Sequence, residues 1–201
     1  MKKTIATALI AALTGFGAYA EDLAIGAAAP EFTLTDTKGV SHNLSDFKGK
    51  FVVLEWVNHG CPFVVKHYSG GNMQGLQKEF TDKGVVWLSI CSSAEGKQGY
   101  MSNDEWNAAI EEKGIAATAT LIDEDGTVGK LYKAKVTPHM YIIDADGNLI
   151  YQGAIDDKRS TDAEDIATSE NYVRSALTAA LAGEPVAKSV TQPYGCSVKY
   201  K

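Results

Sequence analysis

Two near-continuous apolar runs organise the chain. Phe51-Val52-Val53-Leu54-Glu55-Trp56-Val57 lies between Lys48-Gly49-Lys50 and Asn58-His59-Gly60, and Val85-Val86-Trp87-Leu88-Ser89-Ile90-Cys91 follows Lys83-Gly84. Runs of this length without alternation predict strands buried on both faces. Between them a helical stretch extends from about Cys61 to Phe80, interrupted by Ser69-Gly70-Gly71, where it should kink or split. Strand, helix, strand in this order predicts a right-handed crossover and parallel pairing. Ahead of the first run, Phe32 and Leu34 face Val40 and Leu44 across the turn Asp36-Thr37-Lys38-Gly39, which predicts a short hairpin.

The second half repeats the theme. Ser102-Asn103-Asp104-Glu105 has capping-box spacing and opens a helix to about Lys113, and a strand is predicted over Thr118 to Ile122. Asp123-Glu124-Asp125-Gly126 reads as a turn, with a short helical segment running on to Tyr132. Met140 to Ile143 and Asn148 to Tyr151 flank Asp144-Ala145-Asp146-Gly147, a second hairpin. Tyr172, Val173, Ala176, Leu177, Ala180 and Leu181 share one face of a final helix predicted from Ser169 to Ala182 and ended by Gly183. Residues 184–201 carry no period and are expected to form an extended, mobile tail. The elements predict a single α/β sandwich domain with a mixed sheet.

Of the 201 residues, 45% are hydrophobic and 22% charged, the balance of an ordinary globular chain. The first segment stands apart: Lys2 and Lys3, an uncharged stretch from Thr4 to Ala18, then Ala18-Tyr19-Ala20 before Glu21 and Asp22. It is expected to be a secretory signal peptide, residues 1–20, cut after Ala20. Cleavage would remove two of the 19 basic residues and none of the 25 acidic ones, deepening the net charge of −6. Nucleic acid and anionic lipid are therefore poor partners for residues 21–201, because both are held by clustered Lys and Arg. Three cysteines are too few for a disulfide framework and allow one internal disulfide plus a free thiol, or thiols kept for chemistry. No phosphate loop, dinucleotide fingerprint or haem attachment site is present, so no cofactor is expected.

Cys61 is the most informative residue. It stands between a buried strand with its Asn58-His59-Gly60 loop and Pro62, a residue suited to the first turn of a helix. A thiol there meets unpaired N–H groups and the positive end of the helix dipole, and both favour the nucleophilic thiolate. Thr137-Pro138 enters the strand Met140 to Ile143, and a cis proline folded over Cys61 would leave backbone groups free to pair with an extended substrate. His59 and His139 flank the two loops expected to meet and could stabilise a thiolate or pass a proton. Glu55, the one charge in its strand, reads first as a paired structural carboxylate and second as a proton acceptor. The partner of Cys61 must be Cys91, Cys196 or another protein; Cys91 extends an apolar strand and is expected to be buried and unreactive.

These residues resemble the thioredoxin superfamily, and within it the redoxin branch holding the alkyl hydroperoxide reductase/thiol-specific antioxidant proteins and the secreted thiol-disulfide oxidoreductases. The resemblance runs from Ala28 to Lys201. It is carried in order by Ala29-Pro30-Glu31-Phe32-Thr33-Leu34, Leu44-Ser45-Asp46-Phe47-Lys48-Gly49-Lys50, Cys61-Pro62, Thr137-Pro138 and Asp144-Ala145-Asp146-Gly147, and Tyr194-Gly195-Cys196-Ser197-Val198-Lys199-Tyr200 points to one secreted subgroup. It implies a thioredoxin-like sandwich, a cis Pro138 against Cys61, Cys61 as nucleophile and Cys196 as resolving thiol. It further implies a periplasmic oxidoreductase that acts on a protein disulfide or a peroxide and draws electrons from a thioredoxin-like partner. Two departures matter. Val64 stands where a Cys-x-x-Cys pair would place its second cysteine, and Asn58 and Pro138 stand where a typical peroxiredoxin has the Thr and Arg that polarise peroxide. Two other functions fit the same residues: a copper-binding module using Cys61, His59, His139 and Cys91, or a non-catalytic binder with a structural Cys61–Cys196 bridge.

Overall fold

A computed structural model describes residues 23–201. The expected signal peptide lies outside the described residues. The element order is β1 (Thr33–Asp36), β2 (Ser41–Asn43), β3 (Val52–Trp56), α1 (Pro62–Ser69), α2 (Asn72–Thr81), β4 (Val86–Cys91), α3 (Asn103–Lys113), β5 (Ala119–Ile122), α4 (Thr127–Leu131), β6 (Val136–Thr137), β7 (His139–Ile143), β8 (Leu149–Gly153), α5 (Tyr172–Leu181) and β9 (Cys196–Ser197). Seven strands form one sheet in the order β2-β1-β5-β4-β3-β7-β8, and β6 and β9 form a small second sheet.

Local chemistry explains most of these elements. Asp36 Oδ1 accepts from the Lys38 and Val40 N–H groups, both at 2.9 Å, and so closes the first hairpin. The predicted break in the long helix is real: Gly71 takes φ +68°, a left-handed value that glycine reaches without strain, and α2 restarts there. Ser102 and Glu105 form the expected capping box of α3. The last helix begins at Tyr172 rather than Ser169, because the Asn171 side chain caps it by accepting from Arg174 N at 2.9 Å, while Ser169 Oγ turns back to Ile166 O.

The sheet is mixed. β3 runs parallel to β4, with Val52 opposite Val86 and Trp56 opposite Ile90, and β4 runs parallel to β5. β7 lies antiparallel on the other side of β3. Alternate residues of β3 feed two cores. Val53, with Val57 just past the strand's end, packs with Val64, Leu76, Phe80 and Leu177 of the helices on one face, while Leu54 and Trp56 pack with Phe32, Val128 and Tyr132 on the other. Every residue of β3, β4 and β7 is buried, as the apolar runs predict. Among the described residues no helix is long and apolar enough to cross a membrane.

The tail corrects one expectation. Residues 184–201 are extended, but they are strapped across the body. Gln152 N donates to Ser189 O and Thr191 N to Gln152 O, Val198 N to Lys135 O, and Ala94 N to Lys199 O. Tyr194 is buried, and the Tyr200 hydroxyl donates to Ala134 O at 2.8 Å.

Candidate active site

The parallel strand β3 ends where α1 begins, and Cys61 is the N-cap residue of that helix with Pro62 at its first position. Its amide donates to Asn58 O, and its carbonyl accepts from Val64 and Val65, which fixes the corner. Thr137-Pro138 reaches the same place from β6, and the peptide between them is cis. In its thiol form Cys61 donates to Thr137 O at 3.1 Å. β9 completes the site from the third direction: it pairs antiparallel with β6, Cys196 opposite Thr137 and Ser197 opposite Val136. The Cys196 N–H then donates to Cys61 Sγ at 3.4 Å. Cys61, Thr137, Pro138 and Cys196 are thus brought together from three separate parts of the chain.

Electrostatics divide the two thiols. Burial pushes the Cys61 thiol up, but hydrogen bonds from the Cys196 thiol and from the Val64 and Cys196 amides outweigh it, so the Cys61 pKa falls below the ordinary cysteine value. The Cys196 thiol is pushed up to about 11, first by burial, then by donating to Cys61 and by the charge that develops there. Of the two, Cys61 is the thiol that loses its proton more readily and Cys196 the one that holds it. All three cysteines are free thiols in this structure.

The remaining sequence candidates lie elsewhere or are committed. Asn58 is held by the loops at both its oxygen and its nitrogen: Gly60 N donates to its Oδ1 at 2.8 Å, its Nδ2 donates to Gln98 O at 3.1 Å, and Gln98 Nε2 answers by donating to Gly60 O. The Asn58 side chain lies so close to Gly99 that a Cβ there would overlap it. The His59 ring packs on Tyr68 and Trp106, with ring centroids 4.6 and 5.2 Å away, and burial pushes its pKa down to about 4. His139 packs on Tyr141 and accepts from Lys135 N, and burial lowers it to about 3. Cys91 points at Gly99 O, and burial raises its pKa. The ligand set considered for copper is consequently not assembled: among the described residues no three His, Cys, Asp or Glu side chains converge to hold a metal ion.

Glu55 takes the structural alternative. Its carboxylate accepts from Tyr68 Oη at 2.8 Å, Trp87 Nε1 at 2.8 Å, Gln77 Nε2 at 3.1 Å and Ser89 Oγ at 3.1 Å. Burial raises its pKa against the pull of these four donors. The network ties β3 to α1, α2 and β4 beneath the Cys61 corner.

A second buried cluster was missed by sequence reasoning. Lys66 and His67 on α1, Asp156 after β8 and Tyr194 on the tail meet in the interior. The Tyr194 hydroxyl donates to Asp156, His67 Nε2 lies 3.2 Å from that hydroxyl, and Lys66 Nζ sits 3.5 Å from Asp156 Oδ2 while donating to Lys158 O at 2.8 Å. Burial lowers His67 to about 4, although Asp156 pulls the other way. The available signal was two adjacent polar residues in a helix whose neighbours Val64 and Tyr68 are core.

Comparison with known proteins identifies the family and the fold. The AhpC/TSA family profile matches residues 25–152. The thiol-disulfide oxidoreductase ResA of Geobacillus kaustophilus is 29% identical over 153 residues, covering 68% of this chain and 88% of that protein. Among solved structures, an uncharacterized conserved protein from Geobacillus kaustophilus is 32% identical with a TM-score of 0.73, covering 89% of this chain and 93% of the other. The thioredoxin domain of a thiol-disulfide oxidoreductase from Bacteroides vulgatus is 25% identical with a TM-score of 0.52, covering 73% and 97%. The sheet and its flanking helices are thioredoxin-like.

Proposed function

Because the chain belongs to the AhpC/TSA family of the thioredoxin superfamily, we propose that it is a periplasmic thiol-disulfide oxidoreductase with Cys61 as nucleophile and Cys196 as resolving thiol. The observation that carries this reading is the β6–β9 register, which sets Cys196 opposite Thr137 and its N–H 3.4 Å from Cys61 Sγ. The tail thereby supplies the thiol that Val64 cannot.

The two pKa directions support the following cycle. Cys61 thiolate attacks one sulfur of a substrate disulfide, and the other sulfur leaves as a thiolate. Cys196 gives up its proton and attacks Cys61 Sγ in the mixed disulfide, which releases the substrate's second sulfur and leaves a Cys61–Cys196 bond. The substrate gains two electrons and two protons, and the dithiol loses them. Electrons return from a thioredoxin-like dithiol partner. Disulfide exchange is favoured over peroxide reduction because Asn58, which stands at the peroxide-holding Thr position, spends both ends of its amide on Gly60 and Gln98.

Export to the periplasm rests on Lys2 and Lys3, the uncharged stretch to Ala18 and the small residues before Glu21. The test of the mechanism is a pair of variants assayed with a disulfide substrate. Cys61→Ser should abolish turnover, and Cys196→Ser should accumulate a Cys61 mixed disulfide visible by mass spectrometry. A fully active Cys61→Ser protein ends the reading.

A further inference from the structure

The thiol prepared as nucleophile is the one that cannot be reached. Cys61 is 0% exposed, whereas Cys196 is partly open to solvent. The cover is β9. Gly195, at φ +139°, packs against Thr137 so tightly that a Cβ would overlap the Thr137 carbonyl oxygen. The backbone edge that β9 fills, Val136 and Thr137, is the edge to which an extended polypeptide would add as a strand beside Cys61. The chain's own tail occupies it.

That occupancy is clamped on both sides. Upstream, Thr191 Oγ1 accepts from Ala154 N at 2.9 Å and lies 2.7 Å from Tyr151 Oη, and Tyr194 is held by Asp156 and faces Phe63 at a ring distance of 5.8 Å. Downstream, Val198 donates to Lys135 O, and the Tyr200 ring lies where a Cβ on Gly126 or Gly129 would stand. An incoming strand would have to displace Cys196 and Ser197 from Val136 and Thr137 along its length, against these anchors on both sides. A small disulfide needs only the two residue pairs of the β6–β9 ladder to part locally, with the clamps intact.

We propose, resting on the Cys61–Cys196 reading above, that the substrate class is a low-molecular-weight disulfide and that the strap excludes extended polypeptide disulfides. Cys61 thiolate attacks RS–SR, forming Cys61–S–SR and releasing RS⁻. Cys196 then loses its proton and displaces the second RS⁻ to close the Cys61–Cys196 bond, so that two RSH are formed from one RSSR. Gly195 and Tyr194 act as specificity-setting positions through the seat of β9.

The experiment compares the rate at which the reduced full chain is oxidised by cystine and by the disulfide-linked dimer of an unstructured cysteine-containing peptide, with the product bond identified by mass spectrometry. In the wild type the peptide dimer should react at least about tenfold more slowly than cystine. Gly195→Ala should narrow that ratio, and hydrogen exchange at Cys196 N–H should accelerate in parallel. Tyr194→Phe, which keeps the ring and loses the bond to Asp156, serves the same purpose without a backbone change. Equal wild-type rates, or a ratio unmoved by either variant, overturns the proposal while leaving the Cys61–Cys196 cycle standing. If neither oxidant produces the Cys61–Cys196 bond, that cycle fails and the proposal falls with it.

Discussion

The two site thiols should control one another, and the size of the effect can be worked out from the contacts. Cys196→Ala removes the S–H that the Cys61 thiolate accepts but keeps the backbone N–H at 3.4 Å, since that bond belongs to the β9 main chain. A hydrogen bond to a charged acceptor is worth about 1.5–3 kcal/mol. At a pH below the Cys61 midpoint the thiolate population should therefore fall by about ten- to hundredfold, one decade for each 1.36 kcal/mol. Cys196→Ser should recover much of this loss, because its hydroxyl donates in the same place. The coupling is reciprocal: in Cys61→Ala the Cys196 thiol, now at about 11, should descend toward the ordinary cysteine range and stop above it, held there by burial. In the wild type the pair titrates in two steps that belong to both sulfurs. The assay is an NMR titration of isotope-labelled cysteine Cβ, which resolves each thiol in the intact protein. A Cys61 midpoint that is unchanged or lower in Cys196→Ala, with Cys196→Ser behaving like alanine, would refute the assignment of donor and acceptor.

Two further outcomes concern stability. Asp156→Ala leaves Lys66, whose side chain is 0% exposed, buried without the carboxylate that neutralises it, and takes from the Tyr194 hydroxyl its acceptor. The loss should be about 3–5 kcal/mol, read as the shift of the urea midpoint; a loss below about 1 kcal/mol would mean the cluster does not hold the tail. The second outcome is acid sensitivity. His59 and His67 fall to about 4 and His139 to about 3 from an ordinary 6.5, so between those values the unfolded chain takes up protons that the native state refuses. Their contribution is complete above pH 6.5 and is lost as pH falls toward the folded values. Glu55 and Asp123, both raised by burial, work in the opposite sense, so the test is a difference. Denaturant unfolding of His139→Gln should show a stability that declines less steeply with acid than the wild type, by up to about 1.4 kcal/mol per pH unit. Parallel pH profiles for the two proteins would contradict the burial of His139 as a neutral ring.

The legible parts of this molecule are those in which one short stretch of chain contains its own reason. The runs at Phe51 to Val57 and Val85 to Cys91 announce buried strands because both faces are apolar, and Cys61-Pro62 announces a helix start because proline suits the first turn. The Ser102 and Glu105 box is equally local. The tail has no such signature. Its anchors are single residues, Thr191, Tyr194, Gly195 and Tyr200, whose partners Gly153, Asp156, Thr137 and Gly129 are scattered over the chain. No period links them, so absence of pattern reads as looseness. Lys66 and His67 fail for a related reason, since a buried polar pair on a helix makes sense only once Asp156 and Tyr194 arrive from elsewhere. The pattern predicts that the last helix opens at Ser169, but it opens at Tyr172, because the Asn171 side chain caps it by accepting from Arg174 N.

Under the proposed cycle the tail solves a geometric problem posed by Val64 standing where a second cysteine would be. A partner on the first turn of α1 would be positioned by the same helix as Cys61, whereas a partner 135 residues away needs its own fixed seat. β-pairing supplies one, because antiparallel register sets Cys196 opposite Thr137 and leaves no freedom along the strand. The buried tyrosine immediately before the Gly195 step and the Tyr200 ring after it hold that register from both ends. In the proposed cycle the cost is access, since the strand that would deliver the resolving thiol also fills the Val136–Thr137 edge beside Cys61. Resolution and exclusion are thus two consequences of one strand pairing, and a variant that loosens β9 should change both together: broader polypeptide reactivity accompanied by slower closure of the Cys61–Cys196 bond.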